Sequence, residues 1–110
     1  MRETTAGDLR HRVIFQSPVK TPDGHAGHIV TWEDFITLWA AVEALSGREY
    51  FYAHQIKNEV SHRVRVRYRN DLSEEMRINW SGRIMKIESI LDRDGTRRFL
   101  QILCMEERNA

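Results

Sequence analysis

The chain has 110 residues and a formal net charge of +1, with 17 Lys plus Arg against 16 Asp plus Glu. That length fits one domain able to bury a real core, and 41% hydrophobic with 30% charged residues excludes a disordered chain. The near-neutral balance lacks the basic excess of a general nucleic-acid binder, and the single cysteine, Cys104, excludes an intrachain disulfide and a cysteine-based zinc site.

Most of the chain alternates with period two, the mark of half-buried strands. Over residues 9–15, Leu9, His11, Val13 and Phe15 fall on one side and Arg10, Arg12 and Gln16 mostly on the other. The stretch "SPVKTPDGHAGH" that follows carries two prolines, an Asp23-Gly24 pair and Gly27, and predicts a long turn. A second extended region covers 29–44, with Val30 and Trp32 on one face, a break near Glu33-Asp34, then Leu38, Ala40 and Val42 in phase. Trp39 is out of phase, which predicts a strand covered on both sides.

Residues 45–58, "LSGREYFYAHQIKN", break the alternation. Ser46 followed by Glu49 is a capping box, and Leu45 with Tyr50 has the spacing of a hydrophobic staple, so a short helix is predicted over 47–55. Its consecutive aromatics, Tyr50, Phe51 and Tyr52, cannot share one face, and at least one must meet something beyond the helix's own packing surface. Strands then resume. Val60, His62, Val64, Val66 and Tyr68 line one face, and Ser61, Arg63, Arg65, Arg67 and Arg69 the other. Met76, Ile78 and Trp80 form the next inward set, Ser81-Gly82 a tight hairpin turn, and Met85, Ile87 and Leu91 the inward set of the returning strand. After a turn at Asp94-Gly95, "RFLQILCME" is apolar on both faces, as in a central strand or one pressed against a partner. The fold expected is mainly β: a small antiparallel barrel of five to six strands with one short helix and long loops, closed because closure removes exposed edges. It occupies residues 1–110 as one domain, with short flexible termini about 1–8 and 107–110.

Chemistry finds little support in these residues. There is no Gly-rich phosphate loop, no Gly-x-Ser-x-Gly and no His-Glu-x-x-His. His25 and His28 beside Asp23 read as a polar turn rather than a metal site. His62 alternates with valines and reads as a core histidine, and Cys104, in an apolar strand, reads as a small hydrophobe rather than a nucleophile. No catalytic residue, cofactor or metal is expected. The N-terminal "MRETTAGDLRHR" has no apolar core of a secretory signal, and no apolar run approaches the ~18 residues of a membrane span. A cytoplasmic origin, without membrane association, is expected.

The arginines Arg63, Arg65, Arg67 and Arg69 admit two readings. A nucleic-acid-binding barrel combines basic groups with aromatics for stacking, but Tyr68 points away from them. The other reading pairs them with carboxylates, for which Glu43, Glu59, Glu74, Glu75 and Glu88 are available, and residue physics favours it.

The order "LRHRVIFQSPV", "WEDFITLWAAVEALSGREYFYAHQ", "EVSHRVRVRYR" and "EEMRINWSGRIMKIESILDRDGTRRFLQILCME" resembles the phage head–tail joining (head-closure or stopper) proteins of long-tailed phages and prophages, over about residues 9–107. The pieces that carry it are Trp39 with Val42, Gly47 with Glu49, Ser61-His62-Arg63, Met76-Arg77, Gly82-Arg83 and Leu103-Cys104. The family often has Thr at the place of Ser61 and proline in the turn before Met76; both departures are local. The resemblance implies a non-catalytic structural protein of the virion connector, assembled in the host bacterial cytoplasm. Copies would form a ring below the portal/adaptor, closing the DNA channel after packaging and offering the tail its attachment surface. The ring is expected in the virion, and a monomer for the isolated protein. Its partners would be itself, the portal/adaptor protein, a tail completion or tail tube protein, and passing double-stranded DNA without sequence-specific binding. The segment with Ser46, Glu49, Tyr50, Phe51, Tyr52, His54, Gln55 and Ile56 would be the gate or interface, and the four arginines inter-subunit or channel residues. The alternative is a small OB-like nucleic-acid-binding barrel; a third class is a scaffold module that binds a host protein through its two-sided final strand.

Overall fold

The computed structural model describes residues 5–45, 61–92 and 95–107. The six strands are β1 (His11–Pro22), β2 (His28–Ala44), β3 (His62–Arg67), β4 (Arg77–Trp80), β5 (Arg83–Leu91) and β6 (Phe99–Glu106). All pairs are antiparallel, and the sheet closes on itself in the order β1-β2-β3-β6-β5-β4. The expected mainly-β barrel is therefore what forms. The short helix expected over 47–55, and every candidate residue chosen within it, lie outside the described residues. Within the stretch 1–8, Ala6–Asp8 form a 3-10 turn, where the Thr5 N–H donates to Asp8 Oδ2 at 2.9 Å.

Period-two alternation places one side of each strand in the core: Val13 and Phe15 from β1, Val64 and Val66 from β3, Ile78 from β4, Met85 and Ile87 from β5, and Leu100, Ile102 and Cys104 from β6. Met76 is buried with them, and Tyr68, Leu72 and Trp80 pack against this cluster. β6 pairs with β3 and β5 and buries Leu100, Ile102 and Cys104, while Phe99, Leu103 and Met105 on its other face are half-buried. The Ser81-Gly82 turn joins β4 to β5 as expected. Both residues have positive φ, 53° and 87°, the requirement of a tight two-residue hairpin turn whose twist matches its strands.

Four expectations need correction, and two of them share a cause. The ladder between β1 and β2 shifts register between Phe15 and Gln16, so Phe35 is an extra, bulged residue. The expected break near Glu33-Asp34 is this bulge in a continuous strand, and Gln16 beside it is nearly buried, its amide donating to Asp34 Oδ1 at 2.8 Å and accepting from Arg77 Nε at 2.7 Å. A second bulge between Ile87 and Ser89 swaps the phase of β5. Ile90, not Leu91, packs against the core, and Leu91 is 48% exposed. Third, the expected long turn is mostly strand. Only residues 23–27 turn, and the ladder runs out to Pro22 opposite His28 as a two-stranded ribbon. β1 meets β4 only through residues 14–16, so beyond them its outer edge is open. Pro18 and Pro22, an even number of residues apart, turn their missing N–H groups to that same edge. Fourth, Trp39 is not covered on its out-of-phase side; it is 52% exposed.

Candidate functional site

The candidate site comprises β3 with its flanking strands and the base of the long 46–60 connection. On the outward side of β3, Arg63 lies opposite Glu43 of β2 and Leu103 of β6, and Arg65 opposite Ala41 and Gln101. Glu43 bridges both cations. Its Oε2 accepts from Arg63 Nη2 at 3.0 Å, and its Oε1 sits 2.9 Å from Arg65 Nη1. This is not a solvated stripe: Arg63 is only 7% exposed, Arg65 is half-buried, and Arg67 alone is exposed on the strand. Arg69, past the strand, makes a two-pronged pair with Asp71 at 2.9 and 2.7 Å. Those hydrogen bonds hold the Asp71 carboxyl below its ordinary range and raise the Arg69 guanidinium. Of the carboxylates considered from sequence, Glu43 is brought to Arg63 and Arg65, and Glu59 lies outside the described residues; Asp71 was not among them, although its position two residues on is the signal. β3 itself contributes no outward aromatic, yet Phe99 of β6 is the cross-strand partner of Arg67.

The connection leaves and re-enters the barrel at adjacent points. The Leu45 N–H donates to the Ser61 carbonyl at 2.9 Å, and the Ser61 N–H to the Cys104 carbonyl at 2.9 Å. The Ser61 hydroxyl accepts from the Glu106 N–H at 2.8 Å and is hydrogen-bonded to His62 Nδ1 at 2.8 Å. His62 is buried as expected, and its Nε2 lies 4.0 Å from Glu106 Oε1. Burial lowers the His62 pKa, against the pull of Glu106 and with the push of Arg83. Arg83 grips both oxygens of Glu106 at 2.7 and 2.8 Å and stacks 4.6 Å over Trp80, which meets His11 edge-on at 5.2 Å. Sequence reasoning missed Arg83 and Glu106, because their meeting depends on the β5–β6 register.

Serine, histidine and carboxylate in a row suggest a hydrolytic triad, but the geometry does not make one. A working base is held by its carboxylate within about 3.2 Å. Here that gap is 4.0 Å and the carboxylate is committed to Arg83. Cys104 is fully buried, and desolvation pushes its thiol up to about 12, where the nucleophilic thiolate is scarce. The network is a clamp for the chain crossing.

The family model for the phage head completion protein matches residues 4–108. The head completion protein gp16 of Bacillus phage SPP1 is 29% identical over 73 residues, which are 66% of this chain and 67% of that one. Among solved structures, protein SF1141 from Shigella flexneri 2a superposes with a TM-score of 0.76 at 32% identity, over 97% of this chain and 100% of that chain. A chain from the virion of a native gene transfer agent particle shares the fold, with a TM-score of 0.66 at 21% identity over 93% and 97% of the two chains. A match over nearly the full length settles the family expected from the sequence: the chain belongs to the phage head completion proteins, structural components of the virion and not enzymes.

Proposed function

We propose that copies of this barrel form a ring below the portal/adaptor, close the DNA channel once packaging ends, and present the surface to which a tail completion or tail tube protein attaches. The whole chain acts as one head-closure domain, and residues 46–60 supply the gate, with Tyr50, Phe51, Tyr52 and Ile56 as its contacts to neighbouring copies or partners.

The observation that carries this reading is the clamp. A connection pinned at its base by the Leu45–Ser61 hydrogen bond, with Ser61 itself fixed to Cys104 and Glu106, can be repositioned without opening the barrel. The arginines support the same reading. A conduit studded with free cations would gain strong counterion-release binding to DNA and would hinder its passage. Arg63 and Arg65 are instead held by Glu43, and Arg69 by Asp71. DNA passes without its sequence being read.

Electron microscopy of lysates from the parent phage with and without this gene tests the reading. Full-length tails beside tailless heads that have lost their DNA are expected without it; normal tailed particles would overturn the proposal. A chain lacking residues 50–56 should keep its fold but leave heads that leak DNA, and normal DNA retention would remove the gate.

A further inference from the structure

Five side chains at one end of the barrel touch in sequence around its rim. The core-facing positions of five strands continue by twos to that end: Val13 leads to His11, Ile78 to Trp80, Met85 to Arg83, Cys104 to Glu106 and Val64 to His62. His11 meets Trp80 edge-on at 5.2 Å, and Arg83 stacks 4.6 Å over the same ring. Arg83 holds both oxygens of Glu106 at 2.7 and 2.8 Å, and Glu106 Oε1 lies 4.0 Å from His62 Nε2. The contacts therefore run β1-β4-β5-β6-β3, consecutive members of the closed order. Just past β2, the Leu45 N–H completes the circuit by donating to the Ser61 carbonyl at 2.9 Å.

This belt sets one carboxylate against an arginine and two histidines, and histidine is the side chain that gains charge in mild acid. Around His62, β6 brings Glu106 and the Cys104 thiol, whose Sγ is 3.6 Å from the His62 carbonyl; β5 brings Arg83, β4 the uncharged Trp80 and β1 His11. On β2 its cross-strand partner is Ala44, while the neighbouring Glu43 faces outward and is held by Arg63 and Arg65. The hydrogen bonds dictate what a proton must do. A serine hydroxyl has one hydrogen. The Ser61 oxygen accepts from the Glu106 N–H, so its hydrogen goes to His62 Nδ1 at 2.8 Å and the ring proton sits on Nε2, facing Glu106. A second ring proton would occupy Nδ1 and turn the Ser61 hydrogen to the Cys104 carbonyl, 3.5 Å away and already bonded to the Ser61 N–H. It would also place a full charge 4.0 Å from a carboxylate whose two oxygens both serve Arg83. Two cations then compete for one partner. Arg83 is exposed and can turn to water, whereas buried His62 cannot.

We propose that the belt is an acid-sensitive latch: protonated His62 takes Glu106 from Arg83, Arg83 leaves Trp80, and the barrel end where the chain leaves at Leu45 and returns at Ser61 loosens while the strand ladders stay paired. A charged His11, on the other side of Trp80, adds repulsion against Arg83. The inference goes beyond the connector reading and does not rest on it, since the latch lies within one copy.

NMR titration of the full-length chain from about pH 8 to about pH 5 tests it. The Arg83 Nε–H, the Trp80 indole and the Leu45 and Ser61 amides should shift with the midpoint of His62. The amides of Val66 and Leu100, at the other end of the β3–β6 ladder, should not. Arg83 and Trp80 signals that stay fixed while His62 titrates would overturn the latch. Two rim variants supply the sign. Arg83→Gln removes the competing cation and should move the His62 midpoint up; Glu106→Gln removes the partner and should move it down. An unchanged or reversed midpoint in either would overturn the exchange of partners. The two readings fail separately. A silent titration leaves the connector role intact, and normal tailed particles without the gene leave the latch intact.

Discussion

Glu43 serves two arginines that have little water of their own, and this makes it the most consequential carboxylate on the outer face. Its own side chain is 39% exposed, so the cost of losing it is moderated by solvent. Glu43→Gln should destabilise the fold by about 1–3 kcal/mol, chiefly by removing a counter-charge from the desolvated Arg63. Adding Arg63→Met in the same chain should recover most of that loss, measured by urea denaturation; an additive pair would mean that the ion pair is not the cause. His62 supplies a second expectation. Its pKa in the fold lies below the ordinary 6.5, so the unfolded chain binds more protons and stability must fall as pH drops below 6.5. The loss stops growing once pH passes below the folded value. His62→Gln should flatten this part of a thermal-denaturation pH series relative to wild type, and parallel curves would remove His62 as the source. The burial of His62 and Cys104 was legible from alternation with valine and leucine. The partners of the arginines were not, because strand register decides which carboxylate arrives opposite which cation.

At the level of elements, alternation identified the strands and turn chemistry identified the Ser81-Gly82 hairpin, yet neither reveals a bulge. Inserting Phe35 or Glu88 between ladder pairs shifts the phase without changing composition, so Leu91 looked like core and lies outside. The ribbon was misread for a related reason: prolines signal turns in general, but two of them an even number apart can share the open edge of a strand. The hairpin turn itself invites opposite substitutions at neighbouring positions. Gly82 has φ 87° and no atom near an added Cβ, so Gly82→Ala should cost about 1 kcal/mol through backbone conformation alone. Ser81 holds φ 53° without being glycine, and Ser81→Asn should stabilise the fold slightly, since asparagine tolerates that region better. Melting temperatures of the two variants should move in opposite directions.

Across the whole molecule, barrel closure and membership of the head completion family were both legible, because each rests on the order of many residues. The exposed half of β2 was not, since exposure depends on where the β3 ladder stops. The lone cysteine has one more consequence. A virion leaves a reducing cell for an oxidising medium and must last there, often for long periods. In this chain the only sulfhydryl sits at zero exposure with its ionisation held off to about 12, so it offers little to disulfide exchange or to peroxide. The same property makes Cys104 a clock for the joint. A thiol-specific dye should react with the native protein only as fast as the barrel opens, and its uptake should track the unfolding rate across a temperature series. Labelling faster than unfolding would reveal a local route to the core between β3 and β6. Thiol oxidation therefore cannot begin at this chain while its barrel stays closed.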